Sequence, residues 1–121
     1  MEKTRQLDII KHLKNKGFAT YLPGKHQGEC ISEYLVVKTG VTAQVENSSS
    51  EITYYDIICY VPEKIPSRLD ALLDEVVQAM LEMAPMIRPT HESTGHFFEE
   101  SIKAHTRSIT YSNYKNPNLR R

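Results

Sequence analysis

The chain has 121 residues, 40% hydrophobic and 25% charged, with 15 Lys+Arg balanced by 15 Asp+Glu. That length is one domain, residues 1–121, large enough to bury roughly two-thirds of its unfolded surface. Zero net charge excludes the basic excess of a dedicated nucleic-acid binder and leaves proteins as the expected partners.

The first residues, Met1-Glu-Lys-Thr-Arg-Gln, carry no signal-peptide apolar core, and no run approaches the roughly 18 apolar residues that span a bilayer. A soluble protein with no membrane partner is expected. Cys30 and Cys59 are too few for a disulfide framework and point to a reduced, intracellular setting.

Residues 4–16 read as a helix, because Leu7, Ile10 and Leu13 recur at helical spacing and Ile9 widens the stripe. Lys11, His12, Lys14 and Lys16 crowd its C-terminal half, where the helix dipole favours positive charge, and Gly17 supplies a left-handed stop. The loop Tyr21-Leu-Pro-Gly-Lys-His-Gln-Gly-Glu-Cys30 follows, its reactive side chains set between turn residues. Residues 34–38 are β-branched and aromatic, a strand. Gly40 is expected to break it before a weaker strand over residues 41–45. Asn47, Ser48 and Ser49 belong to a polar tip, with no apolar anchor, that a partner is expected to order.

Residues 52–61 are the strongest strand. One face carries Tyr55, Ile57, Cys59 and Val61; the other carries Ile52, Tyr54, Ile58 and Tyr60, interrupted by Asp56. Apolar groups on both faces imply two covers, a helix layer and something else. A neighbouring subunit is one candidate for the second cover. The other reading is that these tyrosines simply lie on a sheet surface.

Residues 67–84 form an amphipathic helix through Leu69, Leu72, Leu73, Val76, Val77, Met80 and Leu81. Pro66 and a Ser67–Asp70 capping box mark its start, and Pro85 its end. Residues 86–91 and 97–114 then read as further strands around a Ser93-Thr-Gly95 turn, with residues 116–121 a frayed tail. The expected fold is α+β in the order α-β-β-β-α-β-β: a mixed or antiparallel sheet of four to five strands with two helices on one face.

No catalytic set is complete. His26 and Cys30 are three residues apart, as a nucleophile pair or half a metal site would need, but no orienting third group and no second ligand pair accompanies them. His91 and His96 likewise lack partners. Residues 23–28 contain Gly and Lys without the phosphate-loop spacing. Seven tyrosines are scattered without the regularity of a base-stacking platform, so specific nucleic-acid binding is not expected. No metal, cofactor or catalytic residue is assigned. The residues expected to meet other proteins are Tyr21, Lys25 and His26 in the loop, Asn47, Ser48 and Ser49 at the tip, and Tyr54, Ile58 and Tyr60 on the strand.

The loop from Tyr21 to Cys30, with Tyr34-Leu-Val-Val-Lys38, Thr53-Tyr-Tyr-Asp-Ile-Ile-Cys-Tyr-Val-Pro62 and Lys103-Ala-His105, resembles a family of small virion proteins. These are the tail terminators, also called tail-completion or head–tail joining minor structural proteins, of long-tailed phages and prophages of Gram-positive bacteria. The resemblance covers about residues 5–115. It implies an α+β subunit that forms a homo-oligomeric ring, typically a hexamer, capping the finished tail tube and joining it to the head. The implied partners are further copies of the chain, the tail tube protein and a head-completion or connector protein. The implied location is the tail–head junction of the virion, after synthesis in the bacterial cytoplasm. It implies no catalytic residues. The alternatives are a head-side neck protein of the same particle and a small enzyme using the His26–Cys30 loop.

Overall fold

Alternation along one strand organises the molecule: Tyr55, Ile57, Cys59 and Val61 are buried, and every residue between them is only half-buried. We describe a computed structural model, which covers residues 5–26, 28–44 and 51–115. The elements are α1 (Gln6–Asn15), β1 (Thr20–Tyr21), β2 (Tyr34–Gln44), β3 (Glu51–Pro62), α2 (Arg68–Met80), β4 (Arg88–Ser93), β5 (Phe97–Glu99) and β6 (Ala104–Lys115). Short 3-10 turns lie at Leu81–Met83 and Glu100–Ile102.

The fold is α+β. The six strands form one mixed sheet in the order β1-β2-β3-β6-β4, with β5 also on the outer edge of β6. β1 runs parallel to β2, and the other pairings are antiparallel. Both helices lie on one face. α1 buries Ile9, Ile10 and Leu13, and α2 buries Leu69, Leu72, Leu73, Val76 and Met80, against Leu35, Val37, Ile57, Ile109 and Tyr111. Each such aliphatic side chain contributes about 1.5–3 kcal/mol on leaving water. Polar clips align the layer. Gln6 Nε2 donates to the Val37 carbonyl at 2.9 Å, and Tyr55 Oη accepts from the Arg5 amide at 2.8 Å. His12 Nε2 meets the Ala79 carbonyl at 2.7 Å, and Lys16 pairs with Glu82 at 2.5 Å. Gly17 stops α1 at φ 98°, as expected of glycine there.

Several expectations are corrected. Gly40 does not break the strand: β2 continues through it to Gln44. Between Thr39 and Thr42 it advances three residues while β3 advances two, which is a β-bulge. A Cβ on Gly40 would lie 3.3 Å from the Tyr54 carbonyl oxygen, so the bulge uses glycine for close approach. The loop start at Tyr21 belongs to a two-residue parallel strand, which takes the place of the strand lost by the merger of residues 34–44; the split of residues 97–114 then brings the sheet to six strands rather than four or five. The single strand expected over residues 97–114 is a β5–β6 hairpin, reversed at Lys103 with φ 52°. Ser67 makes no capping hydrogen bond, and Asp70 instead accepts from Arg107 at 2.8 Å. Leu7 and Leu81, placed in the core stripes by spacing, are 64% and 57% exposed. Among the described residues no helix is long and apolar enough to cross a membrane.

Candidate functional site

The sheet face away from the helices carries two different surfaces. Over β6 it is hydroxyl-rich: Thr106, Ser108, Thr110 and Ser112 stand opposite Tyr60, Ile58, Asp56 and Tyr54 of β3. Over the β2–β3 end it is aromatic, because antiparallel register sets Tyr34 directly beside Tyr60 and Val36 beside Ile58. Residues 22–26 and 28–33 fold back across this aromatic end. The Cys30 amide donates to the Ile102 carbonyl at 2.8 Å, tying the loop to the β5–β6 hairpin. Cys30, Tyr34, Val36 and Ala104 form a second small core, with Tyr21, Ile58, Tyr60 and Ile102 packed around it. The cover of this end is therefore a segment of the chain itself.

Within the cluster the rings are ordered. His26 stacks on Tyr34 at 3.9 Å and 17°, and Tyr34 stacks on Tyr60 at 4.6 Å and 11°. Tyr21 meets Tyr34 edge-on at 5.8 Å. Stacked and edge-on ring pairs add about 0.5–1.5 kcal/mol each beyond area burial. Burial raises the Tyr34 hydroxyl well above the usual tyrosine range, with the neighbouring Cys30, Tyr60 and Tyr21 adding to the effect, so it stays protonated.

The chemistry expected of a Cys–His site does not assemble in this geometry. The Cys30 thiol donates to the Ser32 carbonyl at 3.4 Å, and burial pushes its pKa up. A nucleophilic cysteine needs the opposite shift, from a nearby cation or helix N-terminus. His26 is engaged face-on with Tyr34, and its Nδ1 is buried with no hydrogen-bond partner among the described residues. The other histidines are arranged differently. His105 Nε2 donates to the Glu63 carbonyl at 3.1 Å, and its Nδ1 lies 2.7 Å from His96 Nε2, where a neutral His105 ring accepts. His91 is exposed at φ 67° on β4. No three His, Cys, Asp or Glu side chains among the described residues are grouped to hold a metal ion.

The residues expected to meet partners therefore separate. Tyr21, His26, Ile58 and Tyr60 gather in the loop cluster. Lys25 sits exposed on the turn above it. Tyr54 stands apart, lining a shallow trough of about 560 Å³ with Lys38, Gly40, Val41 and Asp56. Asn47, Ser48 and Ser49 lie outside the described residues. The reading from spacing missed Tyr34, the centre of the ring stack, and the return of the loop onto Ile102. Only the Tyr34–Tyr60 register, which follows once the β2–β3 pairing is known, signals the stack. The chain matches no protein-family model and no curated protein.

Proposed function

We propose that this chain is a structural assembly subunit of a tailed phage particle, a tail terminator that closes the finished tail tube as a ring of identical copies and joins it to the head. The observation that carries this reading is the state of the loop whose residues most closely resemble that family. Its thiol is buried and hydrogen-bonded, its imidazole is stacked, and its backbone is tied to a hairpin across the sheet. Such a segment shapes a surface; it does not present a nucleophile.

The rest of the surface supports an assembling part. Among the described residues β2 beyond residues 35 and 36 is paired with β3 alone, so its outer edge from Lys38 to Ala43 offers backbone groups to another chain. Val41, Phe97 and Tyr114 are large apolar side chains left exposed on the sheet. The test is electron microscopy of particles made without this chain. Tails of irregular length that never join heads are expected. Normal-length unjoined tails would assign the protein to the head side of the neck, and intact particles would remove it from assembly.

A further inference from the structure

We infer that copies of this chain meet head to tail through the two outer flanks of the helix layer, the basic flank of α1 in one copy lying against the acidic, grooved α2–β4 flank of the next. The inference rests on the assembly reading above and assigns its contact surface.

On α1, Ile9, Ile10 and Leu13 face the sheet, while His12 and Lys16 reach α2. At 3.6 residues per turn, Leu7, Lys11 and Lys14 therefore project from the flank away from α2. Leu7 is largely exposed, and neither lysine makes an ion pair among the described residues. Asp8, the one acid of this helix, is bound to Arg5 at 3.1 Å. The flank is an apolar spot beside two unneutralised positive charges.

On α2, Glu82 lies toward α1, and Glu75 is taken by Arg68 at 2.8 Å. The opposite flank presents Asp74 and the exposed Leu81. Together with β4 and β6 it encloses a cleft of about 410 Å³ whose lining includes Leu73, Val77, Leu81, Ile109 and Glu92. Asp74 and Glu92 are exposed and make no ion pair among the described residues. This flank is an apolar cleft beside two exposed carboxylates; of the nearby cations, Arg88 at the start of β4 donates to the Pro85 carbonyl at 3.1 Å, and Lys38 shares the trough on the other sheet face with Glu92.

The two flanks lie at opposite ends of the domain, since α1 packs over β1 and β2 and α2 over β3 and β6. One copy cannot join them to each other, but a row of copies can. A contact between two different patches of one chain is heterologous, and it closes into a ring when the rotation permits. Complementary charge sets partner and orientation, and an apolar centre excludes water.

The test is a charge exchange read by sedimentation velocity at low ionic strength, from micromolar to millimolar protein. Lys11→Glu with Lys14→Glu makes both flanks acidic, and Asp74→Lys with Glu92→Lys makes both basic. Each double variant is expected to fold and to lose about a hundredfold or more in self-association relative to wild type. An equal mixture of the two, or all four substitutions in one chain, restores opposite charge at every contact and is expected to restore assembly. Double variants that associate like wild type overturn the contact and leave the assembly reading standing. A mixture that stays dissociated also overturns it. Wild-type protein that remains monomeric throughout overturns the contact as well, and the particle phenotype decides the assembly reading independently.

Discussion

Truncating Tyr34 to alanine strikes the loop cluster at its centre. The side chain is 5% exposed, stacked on His26 at 3.9 Å and on Tyr60 at 4.6 Å, and met edge-on by Tyr21. A tyrosine of this kind buries about 150–200 Å², which at about 25 cal/mol per Å² is about 4–5 kcal/mol. The phenolic oxygen lowers that figure, while the cavity left under the loop raises it, so a loss of about 3–5 kcal/mol is expected. Urea unfolding followed by circular dichroism measures it, with an unchanged m-value showing that the two-state comparison holds. A cycle combining His26→Ala with Tyr34→Leu isolates the stack itself, with an expected coupling of about 0.5–1.5 kcal/mol. A loss below about 1 kcal/mol for Tyr34→Ala would contradict a packed loop cluster. It would mean that the loop rests loosely on the sheet and that His26 is free for other chemistry.

Leu72→Ala, at a site 1% exposed, should cost about 2–5 kcal/mol, whereas Leu7→Ala should stay within about 0.5 kcal/mol in the same unfolding assay. The two buried thiols should resist a thiol reagent in the native protein and react together on unfolding. Burial pushes the Cys59 thiol from its ordinary 9.0 up to about 12. Above pH 9 the unfolded chain therefore ionises while the native one keeps its proton. This thiol's contribution, complete below pH 9, should fall by up to about 1.4 kcal/mol per pH unit until pH 12, and Cys59→Ala should remove that part of the slope. At the acid end, hydrogen bonds from Arg68 lower the Glu75 pKa from its ordinary 4.5. Their stabilisation is present above that value and lost as pH falls through the lower native one, and Glu75→Gln should flatten this acid limb of the stability curve.

Where a side chain's periodicity decides its face, sequence and structure agree. The strand period of two separates Tyr55, Ile57, Cys59 and Val61 from Tyr54, Ile58 and Tyr60, and the helix stripe places Leu69, Leu72, Val76 and Met80 inward. Ambiguity enters where two stripes fit one helix. Leu7-Ile10-Leu13 and Ile9-Ile10-Leu13 both obey helical spacing, and docking onto β2 selects the second. Local propensity also misleads where tertiary pairing overrides it. Gly40 reads as a breaker, yet β3 holds β2 through it as a bulge. Lys103 carries no sequence signal for the left-handed turn that reverses the chain. In the site, the reactive residue types were visible, but their neutralisation was not. The Cys30 hydrogen bond, the His26 stack and the tie to Ile102 all depend on the loop's path across a sheet whose register the sequence does not print.

The proposed role is that of a part that enters the particle, not of a catalyst that acts on it. Its most direct measurement is a titration: purified protein added to heads and tails from a strain lacking it, with joined particles counted and the chain quantified in them. Joined particles are expected to rise in proportion to protein added, with a plateau at a fixed whole number of copies per tail and all of that protein retained. Joining completed by far fewer copies than tails, with the chain absent from the finished particles, would contradict that role.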